Sequence, residues 1–169
     1  MSPVHVYDVL LRARQKLFEW VRPLDQAQYA QPFPFGARSV RGCLVEIARA
    51  ELFLAMRLRE EPLPPLAEWP INEQRLPTFA ELERVWTAQS QQTRATLAET
   101  TDWDRTVTCR LVRPNQTVLL TATKADIATQ IMMHEVHHRA QAMAMLRQLG
   151  VEAQNLDHIR FTQTTVPQN

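Results

Sequence analysis

Glycine is scarce in this chain, with 3 residues in 169. Glycine is the residue that enters positive-φ turns without steric cost, so its scarcity argues against a turn-rich β architecture. Cysteine is nearly as rare. Cys43 and Cys109 are too few for a disulfide framework and have no metal-motif spacing, so both are expected as reduced, buried thiols. No window approaches the roughly 18 consecutive apolar residues of a membrane span. The opening "MSPVHVYDVLLRARQ" lacks the basic stretch and apolar run of a signal peptide. The expected compartment is therefore the cytoplasm. Neither sign of charge dominates: 19 basic and 18 acidic residues leave a net +1. A chain so balanced lacks the positive field that a phosphate backbone requires, which argues against nucleic acid as a partner.

What is present is the make-up of one ordinary domain, 45% hydrophobic and 22% charged. Eleven prolines punctuate it. Val4–Arg22 repeats apolar residues at helical spacing (Val6, Leu10, Leu17, Trp20, Val21), and Pro23 closes it. "PLDQAQYAQPFPFGAR" reads as a loop. Ser39 suits an N-cap for "VRGCLVEIARAELFLAMRLREE", and the proline-rich "PLPPLAEWPINEQRLP" reads as a long surface connection. Thr78 with Glu81 forms a capping-box signature ahead of a third helix. "RTVTCRLV" and "TVLLTA" flank "RPNQ" as a hairpin. Thr123 and Asp126 open a last helix that runs to about Leu149, with Gly150 at its C′ position. The expectation is an all-α fold: a single four-helix-bundle domain over residues 1–169, with a small β-hairpin before the last helix.

Within that last helix, "HEVHHRAQ" packs three of the chain's five histidines into five positions. At 100° per residue, with His134 at zero, His138 falls at about 40°, Ile127 and Met145 at about 20° and Ile131 at about 60°. This places His134 and His138 in the middle of the inward stripe. Arg139, at about 140°, is expected to point away from it, into a salt bridge. Two imidazoles one turn apart can aim nitrogens at one spot, which suits a divalent metal. The alternative is two core histidines, each satisfied by a hydrogen bond. "HEVHH" also matches H-E-x-x-H, but that motif needs a further downstream ligand and a neighbouring sheet.

"HEVHHRAQAMAMLRQLG" resembles the terminal-helix signature of the DinB/YfiT-like family of damage-inducible-type metalloenzymes. "SVRGCLVEIARAELFLAMRL" resembles that family's second helix, and the hairpin and closing "NLDHIRF" are similar too. The resemblance implies a bundle that holds one divalent ion through three residues. Two match His134 and His138; the third, usually a histidine, falls on Glu46 here. Helical angles favour a different carboxylate: with Leu44 at zero, Glu51 lies at about 340°, inside the apolar face, and Glu46 at about 200°, beside Arg49. Both readings stay open, Glu46 as third ligand and Glu51 as its substitute or as an acceptor for a ligating histidine. Gln141, on the histidine side, is a candidate contact to the metal's surroundings or to substrate. The implied cofactor is zinc, nickel, manganese or iron. The implied activity is metal-dependent hydrolysis or transfer of a low-molecular-weight thiol, acting on a small molecule, with a homodimer as the assembly. Exposed Met132 and Met133 would suit a subunit interface. The competing expectation is a non-catalytic dimeric bundle that has lost the site.

Overall fold

A computed structural model describes residues 2–71, 76–113 and 115–162. Helix α1 spans Pro3–Val21, with proline in its first turn, where no backbone donor is lost. It buries Tyr7, Leu10, Ala13, Arg14, Leu17, Phe18 and Val21, a stripe at helical period with one arginine inside it. A short helix, α2 (Gln26–Ala30), follows where the sequence reading expects only loop. The overlooked signal is a reciprocal capping box: Gln28 N donates to Asp25 Oδ1 (2.8 Å) and Asp25 N to Gln28 Oε1 (3.1 Å). Tyr29 anchors this turn against Phe79, with ring centroids 5.9 Å apart.

Helix α3 (Val40–Leu58) starts on Ser39, whose Oγ accepts from Gly42 N at 2.9 Å. Helix α4 (Phe79–Glu99) and helix α5 (Lys124–Gln148) open on the expected boxes, Thr78/Glu81 and Thr123/Asp126. Gly150, at φ +84, ends α5. Between them β1 (Thr106–Arg113) and β2 (Gln116–Thr123) pair antiparallel, from Thr106 opposite Thr123 to Arg113 opposite Gln116. The fold is mostly helical with one hairpin before the last helix, as expected. Among the described residues no helix is long and apolar enough to cross a membrane.

The four long helices close a ring in which α1 touches α4 and α5, and α3 touches α4 and α5. Side-chain pairs give the directions. Asp8–Arg94 and Arg22–Glu83 set α1 antiparallel to α4. Gln89 bonding Ala48 O and Arg59 bonding Thr96 set α3 parallel to α4. Parallel neighbours in sequence need a return crossing of about 28 Å for a 19-residue helix. That requirement explains the long proline-rich connection between Leu58 and Phe79, within which residues 72–75 lie outside the described set.

The core has two apolar lobes. One gathers Leu17, Phe18, Val21, Val40, Leu44, Ile47, Leu82, Trp86, Met145 and Leu146. The other, at the hairpin end, gathers Tyr7, Leu54, Leu58, Leu97, Val107, Ile127 and Ile131. A charged layer lies across the middle of the bundle. Arg14 Nη2 donates to Glu51 Oε2 (2.7 Å) and to Glu135 Oε2, while Nη1 donates to Ser90 Oγ (2.6 Å). The guanidinium also lies 4.1 Å from the Trp86 ring.

This layer corrects the angular reading of α5. Glu135 and Arg139 are buried, at 1% and 8% exposure, and the line Ile127, Ala128, Ile131, Glu135, Ala142, Leu146 faces inward. His134 and His138 are only partly buried and flank that line rather than centre it. Placing charges outward fails here because Arg14 supplies an interior partner for Glu135. Arg139 in turn stays within 3.5 Å of Glu135 on its own helix.

Candidate metal centre

Helices α3 and α5 pack antiparallel, as Cys43 beside Met145 and Glu46 beside the histidines indicate. This brings Glu46, His134 and His138 together, each offering one donor atom, all within 4.8 Å of one another. Ligands about 2.1 Å from a shared ion stand roughly 3.0–3.4 Å apart, so small side-chain rotations on fixed helices close the set. The two rings lie 4.5 Å apart and tilted by 58°, adjacent rather than splayed.

The donors fit a cation. His134 Nδ1 is buried without a hydrogen-bond partner among the described residues, a state that costs free energy unless an electrophile takes the lone pair. Burial, reinforced by the neighbouring His138 ring and opposed by Glu46, holds the His134 pKa below the ordinary imidazole value. The neutral, ligating form is thereby favoured. His138 is oriented from behind: its Nδ1 lies 3.0 Å from Gln141 Oε1, so it donates there, which leaves Nε2 as the ring nitrogen free to ligate. The Gln141 amide nitrogen then donates to His137 Nε2 at 2.8 Å. Glu46 keeps its helix-surface ion pair, accepting from Arg49 at 2.8 Å. The i,i+3 contact foreseen for it and its place beside the histidines therefore coexist.

Two supporting residues escape sequence reading. Gly36 sits at φ +55, and a Cβ there would lie 2.6 Å from Gln141 Oε1. The 31–38 loop thus presses backbone against the amide that orients His138. His137, read from the sequence as flanking the stripe, fixes the other end of the same amide. The signal for Gly36 was its rarity: one of 3 glycines, in a loop of prolines and phenylalanines. Cys43 Sγ lies 3.9 Å from Gln141 Oε1, but burial pushes its thiol up to about 11, which leaves it unreactive.

Glu51 is not part of this cluster. It faces inward, as its helical angle implies, but accepts from Tyr7 (2.8 Å), Arg14 (2.7 Å), Trp86 (3.1 Å) and Thr93 (3.0 Å), and none of these bonds reaches a histidine. Burial opposes the Arg14 charge, yet Glu135 and Glu51 outweigh it and hold the guanidinium well above its ordinary pKa. Glu135, the acid of the H-E-x-x-H match, points to Arg14. His5 and His158 meet edge to face at 6.2 Å, apart from the site.

Fold and site together define a class: a four-helix bundle whose second and last long helices converge two histidines and a carboxylate. The sequence model of the DinB family matches residues 1–169, and the chain belongs to that family. A DinB-like protein from Bacillus subtilis, YjoA, shares the fold with a TM-score of 0.63, covering 90% of this chain and 97% of its own at 18% identity. No curated protein sequence matches this one.

Proposed function

We propose that this DinB-family chain binds one divalent cation through Glu46, His134 and His138 and acts as a metal-dependent hydrolase on a small molecule. The observation that carries the reading is the convergence of three donor atoms within 4.8 Å. The unmet His134 nitrogen supports it further. Two imidazoles and one carboxylate suit zinc, nickel, manganese or iron. When bound, such an ion supplies Lewis acidity to a group it coordinates. The chain's own residues set the conditions for that chemistry. Gln141 locks the His138 tautomer. Glu46 contributes one negative charge, which weakens electron withdrawal relative to three neutral histidines and favours hydrolysis over the alternative, transfer of a low-molecular-weight thiol. The buried Arg14–Glu135 pair holds α5 in rotational register, so the histidines stay at the edge where substrate can approach.

The test is metal content. Purified protein is expected to carry close to one ion per chain by mass spectrometry, and His134→Ala and Glu46→Gln to carry little. Metal unaffected by both substitutions overturns the assignment and leaves a non-catalytic bundle. We further propose that the chain works as a homodimer in the cytoplasm. Support for the dimer is the outward face of α5, where Met133 (64%) and Val136 (48%) are exposed one turn apart. Met133→Glu with Val136→Glu is expected to give a monomer in sedimentation, and a wild-type monomer contradicts it.

A further inference from the structure

Beside the candidate metal centre lies a recess of about 430 Å³, walled by Ala50, Phe53 and Leu54 of α3, Leu120 and Ala122 of β2, and α5 from Asp126 to His134. It continues the centre geometrically. Glu46, Ala50 and Phe53 are successive turns on one face of α3, and His138, His134, Gln130 and Ile127 are successive turns on one face of α5. The same imidazole, His134, belongs to the donor cluster and to the recess wall.

The wall is predominantly apolar. Its one carboxylate, Asp126, is committed to capping α5, accepting from Thr123 N (3.0 Å) and Thr123 Oγ1 (2.6 Å). Two lining positions, Ala50 on the helix and Ala122 on the hairpin, carry only methyl groups. Phe53 forms a firm flank, lying 6.5 Å from the buried Trp69 ring at a 22° interplanar angle. An anionic ligand group lodged here finds no opposite charge, and desolvating it without a partner is costly; the one counter-charge for a cation, Asp126, is solvent-exposed and engaged by Thr123. An apolar group gains free energy in proportion to the area it hides from water. Gln130, one turn from His134, is an uncharged polar side chain in the wall.

We propose that the substrate carries an uncharged aryl or branched-alkyl group, which this recess holds while the substrate's polar head reaches His134. The inference rests on the metal reading for the head alone; the body's site stands on the recess itself. The probes are benzohydroxamate and acetohydroxamate, which share a chelating head and differ in the body. With zinc-loaded protein, calorimetry should show benzohydroxamate binding at least about tenfold tighter, as expected when a phenyl ring leaves water. Ala50→Phe and, from the hairpin side, Ala122→Leu should collapse that ratio to near unity by filling the space. A ratio near unity in the wild type, or one untouched by both substitutions, overturns the proposal.

Benzyl alcohol, which lacks a chelating head, separates the two readings. Titrated into metal-free protein, it should shift the methyl NMR signals of Ala50, Ala122 and Ile127. If zinc fails to bind but these methyls still shift, the recess assignment holds and the metal reading falls. If they do not move, the recess assignment falls whatever zinc does.

Discussion

Two polar clusters meet on α5 at adjacent residues, and they are built on opposite rules. Glu135 faces the interior with Arg14 and Glu51, at 1–2% exposure, and there every carboxylate is spoken for: Glu51 alone accepts four hydrogen bonds. His134, one position earlier, stands partly buried beside His138 and Glu46 with a nitrogen that has no hydrogen-bond partner among the described residues. A saturated buried cluster stabilises one arrangement and offers nothing to a ligand. An unsaturated one at the edge costs stability and keeps its donor atoms available. Similar residue types, neighbours in sequence, thus divide between structure and chemistry by hydrogen-bond completeness.

The sharpest way to break the contrast is to remove one partner from the saturated side. Arg14→Leu leaves two buried carboxylates facing each other, and Glu135→Ala leaves a buried guanidinium with one fewer counter-charge. Each is expected to lower unfolding free energy by about 3–5 kcal/mol, read as a shift in the urea midpoint. On the unsaturated side, His134→Ala should behave in reverse. Metal affinity should fall by more than about 100-fold, beyond the range seen for mutating residues behind the ligands, while the metal-free protein loses no comparable stability because no hydrogen bond to Nδ1 is broken. A large loss of metal-free stability would show the two clusters to be alike.

Support for the histidines should be graded below this. Gln141→Ala frees the His138 ring, and Gly36→Ala drives a methyl group into the Gln141 amide from a strained φ of +55. Both are expected to weaken metal binding by about 10–100-fold in competition with a chelator. Unchanged affinity in both would remove Gln141 from the site.

The smallest effect belongs to a pair whose carboxylate is solvent-exposed, which calibrates the fully buried one. The Asp102 carboxylate accepts from Lys124 Nζ at 2.9 and 3.0 Å, and that hydrogen bond holds its pKa below the ordinary value of 3.8. A carboxyl lowered on folding stabilises the native state fully above its unfolded pKa and loses that contribution as pH falls through the folded one. Asp102→Asn should therefore produce a small destabilisation at pH 7 that fades below about pH 4. An Asp102→Asn effect at neutral pH as large as that of Arg14→Leu would contradict the contrast between exposed and buried charge.

Helix boundaries were legible because caps are local chemistry. Ser39, Thr78 with Glu81, Thr123 with Asp126, and Gly150 each satisfy or release backbone groups within four residues. The same kind of signal, in Asp25 and Gln28, opens α2 inside a stretch whose prolines point to loop. The site was legible in part. The histidine pair and Gln141 announce themselves by one-turn spacing, and the resemblance to DinB/YfiT-like proteins supplied Glu46 against its own helical angle. The inward direction of Glu51 followed from its helical angle, but its partners, and the burial of Glu135, could not be assigned from the chain alone, since both depend on whether an interior cation waits for them.

The linear order of residues by itself determined four long helices, three of them opened by side-chain caps, the hairpin and the one-turn stacking of His134 and His138. All of these depend on contacts within a few residues or on composition. Only the tertiary structure decided which way α5 turns. Arg14, 121 positions from Glu135, buries that acid and rotates the histidines to the rim. The strength of a charge pair follows from distance and dielectric, and both are set only once α1, α3 and α5 have packed.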